Sequence, residues 1–131
     1  MNRRSTPEAE AQRAIVQALR FALPRDAIVH HCANEVTEAG SRGQIRQSIL
    51  VGMGVHAGFA DLIVISGGRV LFLEVKSETG RLRKSQEVFR DPVCAQGFGW
   101  ALVRSVDDAL AALADNGFTS RVRSPARRVA P

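Results

Sequence analysis

Two strand-like runs separated only by Gly67-Gly68 constrain this chain more than anything else in it. Ala60-Asp61-Leu62-Ile63-Val64-Ile65-Ser66 precedes the glycines, and Arg69-Val70-Leu71-Phe72-Leu73-Glu74-Val75-Lys76 follows them. Such runs joined by Gly-Gly predict a hairpin with a two-residue turn, whose central positions favour positive φ. The turn then sets the register: Ser66 pairs with Arg69, Ile65 with Val70, Val64 with Leu71, Ile63 with Phe72 and Leu62 with Leu73. The next pair, at the open end, is Asp61 with Glu74.

Directly opposed residues share a face, with Cβ atoms about 4.5–5.5 Å apart, so two carboxylates are expected side by side. Period two keeps Lys76 on the face of Glu74. The residues between Leu62 and Ile65, and between Val70 and Leu73, are apolar throughout, which predicts a sheet covered on both faces there. Opposed like charges in a covered sheet need a shared proton or a cation between them. Donors that are all oxygen point to Mg²⁺ or Mn²⁺ rather than zinc. A Glu-x-Lys pair is ordinary by itself, and so is an Asp at a strand start. Their registration across one hairpin carries the signal, and a one-residue slip would reverse the face. Lysine is also scarce: of 18 basic residues only Lys76 and Lys84 are not arginine.

A third acid is expected from the first helix. Thr6 is a good N-cap and Pro7 suits the first helical position, with apolar positions continuing to Leu23-Pro24. Glu8 lies on the stripe of Ala11 and Ile15, whereas Glu10 faces Ala14 and Gln17, so Glu8 is the better candidate for the site. A favourable charge in the helix's first turn explains either residue equally well. Beyond these, Ala27–Cys32 is read as a strand, Asn34–Ser41 as a loop and Gln44–Met53 as a helix. Ser85–Gln96 is read as a helix with Ser85 as its cap and Pro92 inside it, Gly99–Ser105 as a strand, and Val106–Ala114 as a helix closed by Asn116-Gly117. This order predicts an α/β fold, a mixed sheet with flanking helices.

With 131 residues, 45% hydrophobic and 24% charged, the chain suits one domain, placed over residues 1–118, with a basic and flexible tail over 119–131. The net charge is +5; Arg121, Arg123, Arg127 and Arg128 give the stretch from Asn116 onward +4 with no acid. Such an arm suits a polyanion such as nucleic acid, or equally a solubilising end. No apolar run is long enough to span a membrane, and two cysteines with no secretory signal point to a reducing, cytoplasmic setting. His30, His31, Cys32, His56 and Cys94 lack paired zinc-ligand spacing. Gly52, Gly54 and Gly58 make no dinucleotide fingerprint, and neither a phosphate loop nor a Ser-His-Asp arrangement is present.

Gly58-Phe59-Ala60-Asp61, a gap of twelve residues, Glu74-Val75-Lys76, Gly80-Arg81-Leu82 and Gln86 together resemble the VRR-NUC domain of the PD-(D/E)XK nuclease superfamily. The resemblance runs from about Glu8 to Leu110, with Ala60 where the family usually has Pro. It implies a restriction-endonuclease-like α/β/α core and a divalent-metal-dependent DNA endonuclease. Small members are associated with phage and bacteria and with branched DNA, including Holliday junctions, cut as homodimers. It implies Asp61 and Glu74 as metal ligands with the Val75 carbonyl, Lys76 as the active-site lysine, Glu8 as the acid from the first helix and Gln86 as the motif glutamine. Arg81, Arg83 and Lys84, just past the active strand, are candidates for phosphate contacts, as are Arg121 and Arg123 in the tail. The alternative readings are a non-catalytic nucleic-acid-binding protein and an assembly domain that keeps the fold.

Overall fold

The structure is a computed structural model that describes residues 6–33 and 40–124, the side chains of residues 40 and 41 excepted. Its elements in chain order are α1 (Pro7–Ala22), β1 (Ile28–His31), α2 (Gly40–Gly52), β2 (Leu62–Ser66), β3 (Arg69–Val75), α3 (Lys84–Ala95), β4 (Gly99–Val103) and α4 (Val106–Asp115). The strands form one sheet in the order β1-β2-β3-β4. β1, β2 and β3 are antiparallel neighbours, whereas β4 runs parallel to β3 with α3 as the crossover. The sheet is therefore mixed, with helices on both faces, as the order of elements predicts.

The hairpin register follows from the turn. Gly67 and Gly68 both have positive φ, 59° and 76°, the conformation a two-residue turn of this kind requires. Ser66 pairs with Arg69 and the ladder runs to Leu62 opposite Leu73. Leu62, Val64, Leu71, Leu73 and Val75 then share one face with Val103, all fully buried under α1 and α4. Ile15, Leu19 and Ala22, at helical spacing, are α1's contribution to that core, and Ala109, Ala112 and Leu113 are α4's.

The opposite face is covered only in part, which corrects the expectation of a doubly covered sheet. α3 packs on the β4 side, where Phe89 meets Phe59 and Phe72. Toward β1 the face is open: Ile65 and its cross-strand neighbour Ile28 are 40% and 54% exposed. α2 begins at Gly40, earlier than the sequence pattern suggests, and leaves Ile45 and Ile49 exposed. Residues 34–39, most of the loop expected before it, lie outside the described residues.

Two further boundaries differ from the sequence reading. The N-cap of α3 is Arg83 rather than Ser85, and its N–H donates to Gln86 Oε1 at 2.8 Å. Pro92 lies inside α3 without ending it. The chain also stays docked past residue 118: Phe118 is buried, Val122 packs on the core, and the Arg121 N–H donates to the Ala22 carbonyl at 2.9 Å. Residues 125–131 of the tail lie outside the described residues. Among the described residues no helix is long and apolar enough to cross a membrane.

Candidate active site

Antiparallel β1–β2–β3 and parallel β4 bring four chain ends to one edge of the sheet: the ends of β1, β3 and β4 and the start of β2. A cleft of about 990 Å³ opens there, walled by the N-terminal turns of α1 and α3. Glu8, Asp61, Glu74, Lys76, Arg83 and Gln86 all line it. Val75 does not line it: its side chain is buried in the core on the other face, and its N–H reaches the site, at Asp61.

The acids are held by specific partners. Asp61 sits one residue before β2, and its Oδ2 accepts the Val75 N–H at 2.7 Å, which ties the loop preceding β2 to the end of β3. Gln86 Nε2 donates to Glu74 Oε1 at 2.7 Å while Gln86 Oε1 accepts the Arg83 N–H. Gln86 thus uses the capping of α3 to hold its own amide in register with Glu74. Lys76 Nζ lies 3.7 Å from the same Glu74 oxygen. Asp61, Glu74 and Lys76 are 8%, 1% and 5% exposed, so three ionisable groups sit together at the floor of the cleft with little contact with solvent.

Glu74 Oε2 is buried with no hydrogen-bond partner in the protein. Burial, and then the Asp61 carboxylate beside it, push the Glu74 carboxyl from 4.5 up to about 8; Glu8 adds to the rise and Lys76 opposes it. A proton or a cation therefore belongs between the two acids at neutral pH. A carboxyl that binds its proton more tightly in the fold than in the open chain stabilises the fold fully below about pH 4.5, and that contribution is lost as pH rises to about 8. In the absence of divalent ions, Glu74→Gln is expected to melt higher than the wild type at pH 8, by about 5 °C, and the difference is expected to vanish near pH 4.5. Paired melting curves across that range check this.

The donor set fits a hard divalent cation. Two carboxylates with one orphaned oxygen are what Mg²⁺ uses when water and substrate phosphate complete its shell. Glu8 is half-buried on the α1 wall, within electrostatic reach of Glu74. Among the described residues no three His, Cys, Asp or Glu side chains converge as a metal-holding group, so Glu8 stands apart from the Asp61–Glu74 pair.

Gly58 sets the cleft's other wall. Its φ is +75°, and a Cβ there would land on the Ser85 carbonyl and 2.7 Å from the Gln86 nitrogen. The loop before β2 therefore touches the first turn of α3 directly. Gly58→Ala is expected to cost about 2–3 kcal/mol, lowering Tm by about 10 °C. Thermal unfolding checks it.

The other sequence candidates spread out. Arg81 and Lys84 are exposed beside the cleft, Lys84 in a loose 3.9 Å pair with Glu87. Arg121 stacks on Phe21 with its Cζ 4.0 Å from the ring centre, at the far end of α1 and about 20 Å along the helix from Glu8. Arg123 is exposed on the same stretch. The structure adds cleft residues that the sequence did not single out: Gln12 and Arg13 on α1, Gln47 on α2, and His31 at the end of β1. His31 showed only its place on a strand, and nothing local marks it as lining a cleft. Cys32 and Cys94 are free thiols, and burial, with Asp61 nearby, raises the Cys32 pKa.

No family model and no curated protein matches the chain. A solved structure described as a "VRR_NUC domain protein" does match, with a TM-score of 0.59 over 86% of this chain and 89% of that one, at 16% sequence identity. The chain has the fold of that VRR_NUC protein.

Proposed function

We propose that this protein is a divalent-metal-dependent DNA endonuclease that hydrolyses phosphodiester bonds and acts on branched DNA such as Holliday junctions. One observation carries the reading: two buried carboxylates forced together by the hairpin, one with an orphaned oxygen, beside a buried lysine. A pure binding protein gains nothing from such a pair, which costs stability. The fold supports the same reading.

Asp61 and Glu74 would hold Mg²⁺ or Mn²⁺, with Val75 adding its carbonyl and Glu8 a second-site ligand from α1. The bound ion supplies charge neutralisation at a phosphate oxygen and a more acidic water. Gln86 keeps Glu74 turned toward the cleft through the 2.7 Å hydrogen bond. Lys76 orients the attacking water or stabilises charge on the phosphate with a compact ammonium. The N-termini of α1 and α3 face the cleft with partial positive charge, which favours a phosphate there. No base-reading motif is present, so recognition rests on DNA shape and backbone. A homodimer would present two such clefts to two strands of a junction.

The test is cleavage of junction, flap, duplex and single-stranded DNA with Mg²⁺ or Mn²⁺ against a chelator control. Metal-dependent nicking with the junction cut fastest is expected. DNA binding without cleavage under every condition would favour the non-catalytic alternative instead. Arg81, Arg83 and Lys84 are assigned to phosphates: replacing all three by Ala is expected to reduce the salt slope of binding by about 2–3. Titrations at several salt concentrations read this directly, and an unchanged slope discards the assignment.

A further inference from the structure

The connection between β3 and α3 links two parts of the proposed catalytic apparatus: it begins at Lys76 and leads into Gln86 in the first turn of α3. Its tip is exposed at Glu78 and Thr79, so packing does little to fix it. Backbone bonds inside it are few: the Gly80 N–H meets the Ser77 carbonyl at 3.2 Å and Ser77 Oγ at 3.1 Å.

A side chain from outside the loop closes it. Arg104, one residue past β4, points Nη1 at three carbonyl oxygens of this loop: Ser77 at 2.5 Å, Gly80 at 2.7 Å and Glu78 at 3.3 Å. The two protons of Nη1 serve the first two, and the third contact is shared. Arg104 is itself anchored, because its N–H donates to Asp108 Oδ2 at 2.9 Å in the first turn of α4. Ser105 caps that turn in return, accepting the Asp108 N–H at 3.1 Å. Carbonyl oxygens repel one another when they converge, and a cation at their focus reverses the sign.

We propose that Arg104 is a positioning residue for the reaction: its guanidinium fills a three-carbonyl cradle that holds the β3–α3 loop so that Lys76 and Gln86 meet Glu74. The cradle is a cation site in its own right, and a free guanidinium ion enters it when the side chain is removed. The catalytic half of this rests on the nuclease reading; the cradle does not.

The experiment is Arg104→Ala with and without millimolar guanidinium, followed by cleavage kinetics and by amide exchange at Gly80. Arg104→Ala is expected to lower kcat at least about tenfold with KM changed less than about threefold, since a shift near 1 Å at a catalytic group costs up to about 10²-fold. Guanidinium is expected to restore a large share of kcat and to slow Gly80 exchange in the variant, with no effect on the wild type. An unchanged kcat, or a natively folded variant that guanidinium does not rescue, overturns the proposal. Should Arg104→Ala not fold, Arg104→Lys against Arg104→Met decides it. The ammonium can meet the carbonyls and the thioether cannot, so equal rates for the two overturn it. If the wild type cleaves no DNA, the nuclease reading falls alone. The cradle then stands or falls on guanidinium-dependent protection of Gly80.

Discussion

Asp61→Asn is expected to reduce metal-dependent cleavage by about 10³-fold, about 4 kcal/mol of lost transition-state stabilisation, while leaving the fold intact. The asparagine carbonyl still accepts the Val75 N–H that Asp61 Oδ2 holds at 2.7 Å, so the backbone tie survives. What disappears is one of the two carboxylates proposed to hold the cation, and with it the repulsion against Glu74. The same variant is therefore expected to melt higher than the wild type at pH 8 without metal, and to gain less when metal is added. Calorimetry with Mn²⁺ and a single-turnover assay separate the effects. A variant cleaving within tenfold of wild type would remove Asp61 from the mechanism.

Lys76→Arg is the second large effect, with a loss of about 10²-fold in the cleavage step. Charge is conserved, so DNA binding is expected to persist. The pocket admits a compact ammonium: Lys76 is 5% exposed and its Nζ stands 3.7 Å from Glu74 Oε1. A planar guanidinium needs more width and several more acceptors, and it pushes toward the orphaned Oε2 of Glu74, where the proposed cation would sit. Binding retained with cleavage lost is the expected signature, read by a mobility shift and single-turnover rates on the same DNA. A variant that keeps most of its wild-type rate would assign Lys76 a role that charge alone fills.

The hairpin, its register and the meeting of Asp61 with Glu74 were legible because a Gly-Gly turn leaves one register, and periodicity two does the rest. α1 was legible from Thr6-Pro7 and its apolar stripe, and α4 from its two ends. Coverage of the sheet was not. Apolar residues on both faces of β2 and β3 suggest two packed layers, yet only the placement of α3, a tertiary fact, decides that Phe72 is covered and Ile65 is not. Ser85 has the better capping side chain, yet the structure satisfies the start of α3 through Gln86 instead. Gln12, Gln47 and His31 reach the cleft from three separate elements, and no local pattern encodes which elements end beside one another. Arg104 left no trace either, since its partners are backbone carbonyls that every residue carries.

The glycine turn has a kinetic consequence. Asp61 and Glu74 are 13 positions apart on a hairpin, a unit that closes in about 1–10 μs, whereas Glu8 lies 53 positions before Asp61 and joins only when α1 docks. The two acids are therefore expected to meet before α1 docks, and the cost of holding both ionised grows as burial closes around them. Mildly acidic solvent or a divalent ion should speed the chain's collapse to the native state as well as stabilise the end product.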